Sequence, residues 1–118
     1  MLIAYTRCSP ANPSYTTNEL VYQLKLTKAV LILAHPDVLS TTLAAARLAG
    51  IPADHIALFN PDSKTHSVPN HTTLNELVQA GLGQPPSFVE KRFTPGEART
   101  KLAFLCFSSG TTGTPKVR

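Results

Sequence analysis

The chain has 118 residues, 42% hydrophobic and 15% charged, with a formal net charge of +4. That is one domain's worth of chain or a piece of a larger one, with enough apolar residues for a core and few enough charges to suit a surface covered by further protein. The charges are scattered without a block of one sign, which excludes a nucleic-acid footprint; no apolar stretch approaches a membrane span, and no charged-then-apolar leader opens the chain.

In chain order, the first readable unit is Ala11-Asn12-Pro13-Ser14-Tyr15-Thr16-Thr17-Asn18-Glu19-Leu20. Asn-Pro is a turn signal, and Thr16 with Glu19 three residues later forms a capping box flanked by Tyr15 and Leu20. The pattern predicts a helix from about Thr17 to Leu26, with Leu20, Val21 and Leu24 on its buried face. Ala29 to Ala34 follows as a wholly apolar strand. His35-Pro36-Asp37 starts the next helix, with proline at its first position and an acid in its first turn. Val38, Leu39, Thr42, Ala45 and Ala46 belong to it, and Gly50 caps its end.

After the break at Ile51-Pro52, His55 to Phe59 reads as a second strand, and Asn60 to His71 as a loop without periodicity. Thr73-Leu74-Asn75-Glu76 is a second capping box, opening a helix through Leu77 and Val78 that ends near Gly81 or Gly83. Ser87 to Arg99 is a polar connection. Leu102 to Phe107 is a continuous apolar run, expected as a buried strand. Apolar strands separated by helices belong to a parallel sheet, so the fold class is α/β. Cys8 and Cys106 are too few and too distant in sequence for a disulfide framework or a metal site, and Cys106 is expected in the core. His35, His55, His66 and His71 lack metal-ligand spacing. The expected setting is a soluble, reducing compartment, cytoplasmic or peroxisomal.

The last strand empties into Ser108-Ser109-Gly110-Thr111-Thr112-Gly113-Thr114-Pro115-Lys116. Two glycines without Cβ let backbone N–H groups close on an anion, and the hydroxyls add donors. Pro115 stiffens the exit and Lys116 supplies a full positive charge. Together these residues make a grip for nucleotide phosphates at the carboxyl end of a strand, where open α/β sheets hold ligands. The Walker loop is excluded, because it needs Gly directly before Lys and Ser or Thr directly after it. Pro115 and Val117 stand at those places.

The ordered match Ser-Ser-Gly-Thr-Thr-Gly-Thr-Pro-Lys closely resembles the phosphate-binding signature of the acyl- and aryl-adenylate-forming enzymes, the AMP-dependent synthetases and ligases. Upstream, Ala11-Asn12-Pro13, Tyr15-Thr16 and Glu19-Leu20 resemble the 4-coumarate–CoA ligase-like members, and the likeness runs from about Pro10 to Lys116. Two departures stand out: the family carries a small residue where Val117 stands, and Met1 to Cys8 differs from the segment that precedes Asn-Pro.

This resemblance implies part of the large N-terminal domain of an adenylate-forming enzyme, residues 1–118, with residues 108–116 as its phosphate-binding loop. It implies ATP, Mg²⁺ and CoA as cofactors and a small-molecule carboxylic acid as substrate. Such an enzyme activates the acid as an acyl-adenylate and passes it to CoA. Ser108, Ser109, Gly110, Thr111, Thr112, Gly113, Thr114 and Lys116 are the implied ATP-phosphate ligands. No catalytic residue or metal ligand maps onto this stretch, and the chain alone is expected to be inactive. In the family pattern the chain returns after the loop as a neighbouring strand, so Leu102 to Phe107 is expected to leave an uncovered edge. The alternative is a non-catalytic truncated gene product or phosphate-binding module. In-frame sequence beyond Arg118 that enters an adenine-binding motif selects the enzyme; a stop codon there selects the alternative.

Overall fold

Helices that begin at a Thr-x-x-Glu box need no help from packing to choose their first residue, and two helices of this chain begin so. The computed structural model describes residues 7–59, 71–85, 89, 92–108 and 116–117. The chain divides into two compact units, Pro13–Pro85 and Met1–Asn12 with Pro86–Arg118.

In the first unit, α1 spans Thr17–Thr27. The Thr16 hydroxyl accepts from the Glu19 N–H, while the Glu19 carboxylate accepts from the Thr16 N–H at 2.8 Å and from its hydroxyl at 2.7 Å. At the other end, Lys28 turns left-handed at φ 51° and its N–H donates to the Leu24 and Lys25 carbonyls. The expected buried face is present: Leu24 is buried, with Leu20 and Val21 half-buried, and Gln23 joins them. A short strand, β1 (Ile32–Ala34), follows. It occupies only the second half of the predicted apolar run; Val30 and Leu31 ahead of it are exposed.

Pro36–Val38 forms a single 3-10 turn in which the Asp37 N–H donates to the His35 ring, and α2 continues from Leu39 to Ala49. Gly50 ends α2 at φ 78°, the conformation that only glycine adopts without strain. Thr42, Ala45 and Ala46 are its buried residues, and α2 packs on α1. The Thr42 hydroxyl is satisfied within the helix, donating to the Val38 carbonyl at 2.9 Å.

The next strand, β2 (Ile56–Leu58), is the centre of the sheet. It runs parallel to β1, Ile32 opposite Ile56 and Ala34 opposite Leu58. All three of its residues are buried, as a continuous apolar run covered on both faces requires. Two bonds pin the pair at its ends: His55 Nδ1 donates to the Val30 carbonyl at 2.8 Å, and the Phe59 N–H donates to the Ala34 carbonyl at 2.9 Å. On the far side β2 pairs in parallel with β3, Thr72–Thr73. No apolar run announces β3, which supplies the third strand. The expected loop from Asn60 lies outside the described residues as far as residue 70.

Thr73 then caps α3 (Leu74–Leu82), with the Glu76 carboxylate accepting from the Thr73 N–H at 2.7 Å. Gly83 is its C-cap residue, in right-handed helical geometry. The α/β class and parallel pairing are therefore those expected. The strand neighbours differ: the apolar run at Leu102 to Phe107 pairs within the second unit, described below.

Candidate phosphate-binding site

Of the predicted strand at Leu102 to Phe107, the described pairing falls at two places. Phe107–Ser108 forms β4 and pairs antiparallel with β5, Lys116–Val117. Phe107 stands opposite Val117 and Ser108 opposite Lys116. Directly opposed residues in an antiparallel pair have Cα atoms about 4.5–5.5 Å apart. The two ends of the phosphate-binding signature thus leave from neighbouring backbone positions. Ser109, Gly110, Thr111, Thr112, Gly113, Thr114 and Pro115 lie outside the described residues. Of the eight predicted ligands, the structure brings Ser108 and Lys116 together.

The second pairing lies just upstream. Cys8 forms a parallel bridge with Phe104. The Cys8 N–H donates to the Ala103 carbonyl and the Leu105 N–H to the Cys8 carbonyl, both at 2.9 Å, and the Ser9 hydroxyl donates to the Leu105 carbonyl at 2.9 Å. The expected uncovered edge is corrected in part: on one edge the Ala103 and Leu105 backbone groups meet Cys8 and Ser9, and at Phe107–Ser108 β5 returns beside β4. A signal for the upstream partner sits in the sequence at Ser9-Pro10, because a residue before proline is pushed to extended geometry. It passes unnoticed when the opening residues are set aside as unlike the family.

Exposure alternates along the same stretch. Leu102, Phe104 and Cys106 are exposed, whereas Ala103, Leu105 and Phe107 are half-buried. That is the period of a strand with one covered face. Cys106, expected in the core, is therefore on the open face of the strand, as is exposed Cys8 across the bridge. A continuous apolar run predicted cover on both faces; within this unit only one is covered.

Before the strand, the polar connection contains a third Thr-x-x-Glu box that the sequence reading left undivided. Thr94 donates through its N–H and hydroxyl to the Glu97 carboxylate at 3.1 and 3.2 Å, opening a 3-10 turn at Glu97–Arg99. The second Glu97 oxygen lies 3.6 Å from Lys101 Nζ. This box fixes the approach to the strand, and Gly96 at φ 90° makes the turn possible.

The donor set fits a phosphate. Toward an anion, the signature offers five hydroxyls, two glycines and one lysine, and no carboxylate to repel it. Two carboxyls held below the ordinary range lie elsewhere, Glu19 and Glu76 at the helix starts, each depressed first by a backbone N–H and then by a threonine hydroxyl. Among the described residues no group of three or more His, Cys, Asp or Glu side chains is placed to hold a metal ion.

Comparison with known proteins agrees with the signature. The AMP-binding enzyme family profile matches residues 3–117, starting ahead of the likeness expected from Pro10. An acyl-CoA ligase of Aspergillus niger, azaF, is 32% identical over 106 residues, 89% of this chain and 19% of its own. The phenylacetyl-CoA ligase epaB, also of A. niger, is 34% identical over 105 residues, again 89% of this chain and 19% of its own. The chain thus spans about a fifth of the length of the curated relatives it matches. Among solved structures, a red-emitting luciferase of Phrixothrix hirtus shares the fold with a TM-score of 0.70 at 20% identity, covering 96% of this chain and 26% of the luciferase. A luciferase-like enzyme of the mealworm Zophobas morio matches with a TM-score of 0.56 at 25% identity, over 91% of this chain and 22% of its own. With its profile matched almost end to end and its fold shared with a luciferase, the chain belongs to the AMP-binding enzyme family.

Proposed function

We propose that residues 108–116 are the nucleotide-phosphate grip of an AMP-forming acyl- or aryl-CoA ligase. The whole protein would activate a small carboxylic acid with ATP and transfer the acyl group to CoA. The observation that carries this reading is the pairing of Ser108 with Lys116, the first and last residues of a Ser/Thr/Gly signature, in a chain of the AMP-binding enzyme family. The names of the relatives, acyl-CoA ligase and phenylacetyl-CoA ligase, support CoA as the acceptor and an acyl or aryl acid as the substrate. The upstream likeness to 4-coumarate–CoA ligases narrows the proposal toward aryl acids.

Bound ATP, with Mg²⁺, supplies the phosphoanhydride whose cleavage activates the acid. This chain's part is to bind its phosphates. Ser108, Ser109, Thr111, Thr112 and Thr114 contribute hydroxyl donors, and Gly110 and Gly113 let backbone N–H groups approach. Lys116 contributes the charge. Such donors accelerate chemistry to the extent that they hold the departing pyrophosphate more tightly than the intact nucleotide. No residue here is assigned to Mg²⁺ or to CoA.

The test is calorimetric titration of residues 1–118 with ATP and with pyrophosphate, for the wild type and Lys116→Ala. A charge-assisted hydrogen bond contributes about 1.5–3 kcal/mol, so the variant should bind about ten- to a hundred-fold more weakly. Equal binding by the two proteins would overturn the grip. The same chain should release no pyrophosphate with aryl or fatty acids, because one loop does not position acid, ribose and metal together. Acid-dependent release by residues 1–118 would overturn that part of the proposal.

A further inference from the structure

The parallel bridge brings Cys8 beside Phe104, two residues from a second thiol that the sequence holds almost a chain length away. Cys8 pairs with Phe104, and residues paired across a parallel ladder project to the same face. Phe104 and Cys106 share that face too, as the alternation of exposure from Leu102 to Phe107 records. Cys8 and Cys106 are both exposed and both free thiols. They are therefore diagonal neighbours on one open strand face, beside the exposed ring of Phe104.

The spacing decides what such a pair can do. Two residues along a strand advance about 6.6 Å, and adjacent strands lie about 4.8 Å apart, so the diagonal separation of the Cα atoms is about 8 Å. A disulfide closes only when the Cα atoms are within about 4.4–6.8 Å. A metal ion inserted between the sulfurs relaxes that limit. Each sulfur–metal bond is about 2.3 Å, so a two-coordinate ion holds the sulfurs about 4.6 Å apart instead of about 2.05 Å. Soft thiolate ligands select soft cations such as Cu(I).

We propose that Cys8 and Cys106 form a two-thiolate site for a soft monovalent cation, with Cu(I) as the type case. On binding, each thiol releases its proton to solvent and each sulfur forms one bond to the ion; no electron is transferred. The site is distinct from the phosphate signature, and it needs only the Cys8–Phe104 pairing. Its two ligands come from opposite ends of the sequence, so occupancy would cross-link the opening segment to the strand that leads into the loop.

The experiment is anaerobic titration of the full 118-residue chain with Cu(I) against a chromophoric Cu(I) chelator. It is run in parallel on Cys8→Ser, Cys106→Ser and the double variant, each checked for fold by circular dichroism. Joining two ligands in one site raises affinity by about 10²–10⁴-fold over either alone. One Cu(I) per chain is expected, with each single variant weakened at least about a hundred-fold and no tighter than the double variant by more than a small factor. Native mass spectrometry should show the metallated protein as a monomer. Equal affinity in the wild type and either single variant would overturn the proposal, as would a copper-bridged dimer. A third arm treats the metal-free chain with a small-molecule disulfide. Each thiol should form a separate mixed disulfide; rapid closure of an internal Cys8–Cys106 disulfide would refute the spacing on which the site rests.

Discussion

Leu58→Ala should come close to unfolding the Pro13–Pro85 unit. Leu58 is 1% exposed in the central strand, opposite Ala34 on one side and Thr73 on the other. The substitution removes three carbons, each worth about 0.8 kcal/mol of transfer free energy, so burial alone accounts for about 2.4 kcal/mol. The remaining cost depends on how far the neighbours can close over the hole. Ala34 and Thr73, its partners on the two flanking strands, are short, so little side chain is available from either to move in. With a residual cavity costing about 24 cal/mol per Å³, the total should reach about 3–4 kcal/mol. Domains of this size hold about 4–10 kcal/mol in all. Urea denaturation followed at the helical circular dichroism band measures the loss, read from the midpoint at unchanged slope. Leu31→Ala is the control, because Leu31 is 54% exposed and should lose less than about 1 kcal/mol. A Leu58→Ala cost below about 1 kcal/mol, or equal costs for the two variants, would show that the core does not lie where the sheet places it.

Lys28 holds φ 51° with a Cβ that this region disfavours, so Lys28→Gly should stabilise α1 by about 0.5–1 kcal/mol after the added freedom of the unfolded chain is set against the relieved strain. A thermal melt reads the sign; destabilisation would refute it. At Gly50 an added Cβ would meet nothing within 4 Å, so Gly50→Ala should cost only the conformational penalty, about 1–2 kcal/mol, and a much larger loss would reveal an unforeseen clash. The Glu19 and Glu76 carboxyls are depressed in the folded chain, so the stability they confer is complete above the ordinary carboxylate range and disappears as pH falls through their folded values. Helix content measured against pH should therefore fall more steeply on the acid side in the wild type than in the Glu19→Gln/Glu76→Gln double variant; superimposable curves would discard the capping explanation.

The helices were legible because their ends carry chemistry that acts locally. Thr16 with Glu19, Thr73 with Glu76 and Gly50 each satisfy backbone groups within a few residues, so sequence neighbours suffice to place them. Lys28 escaped notice, since a left-handed lysine is held by the turn around it and nothing in its side chain announces that. The strands were legible as apolar runs but not as pairings. Thr72–Thr73 contains no apolar residue and becomes a strand only because β2 offers it a backbone edge. Cys106 looked like core for the same reason that Leu102 to Phe107 looked doubly buried: six apolar residues in a row hide the alternation that solvent reveals. At residues 108–116, residue chemistry is what the proposal of a phosphate ligand rests on, while the register that sets Ser108 against Lys116 is a property of two strands and of neither alone.

The Cys8–Phe104 bridge also constrains the order in which the chain can acquire its structure. The accompanying Ser9–Leu105 bond spans 96 positions, and closing a flexible loop of that length costs about 4 kcal/mol in chain entropy beyond a constant. Folding of Pro13–Pro85 first would shorten that closure, because most of the intervening chain would already be one body whose own contacts are closer in sequence. On a ribosome adding about 5–20 residues per second, the opening segment would wait several seconds for its partner to be made. Through that interval its extended backbone and the Cys8 thiol are open to whatever else is present, because the pairing with Phe104 must wait for a strand made long after it.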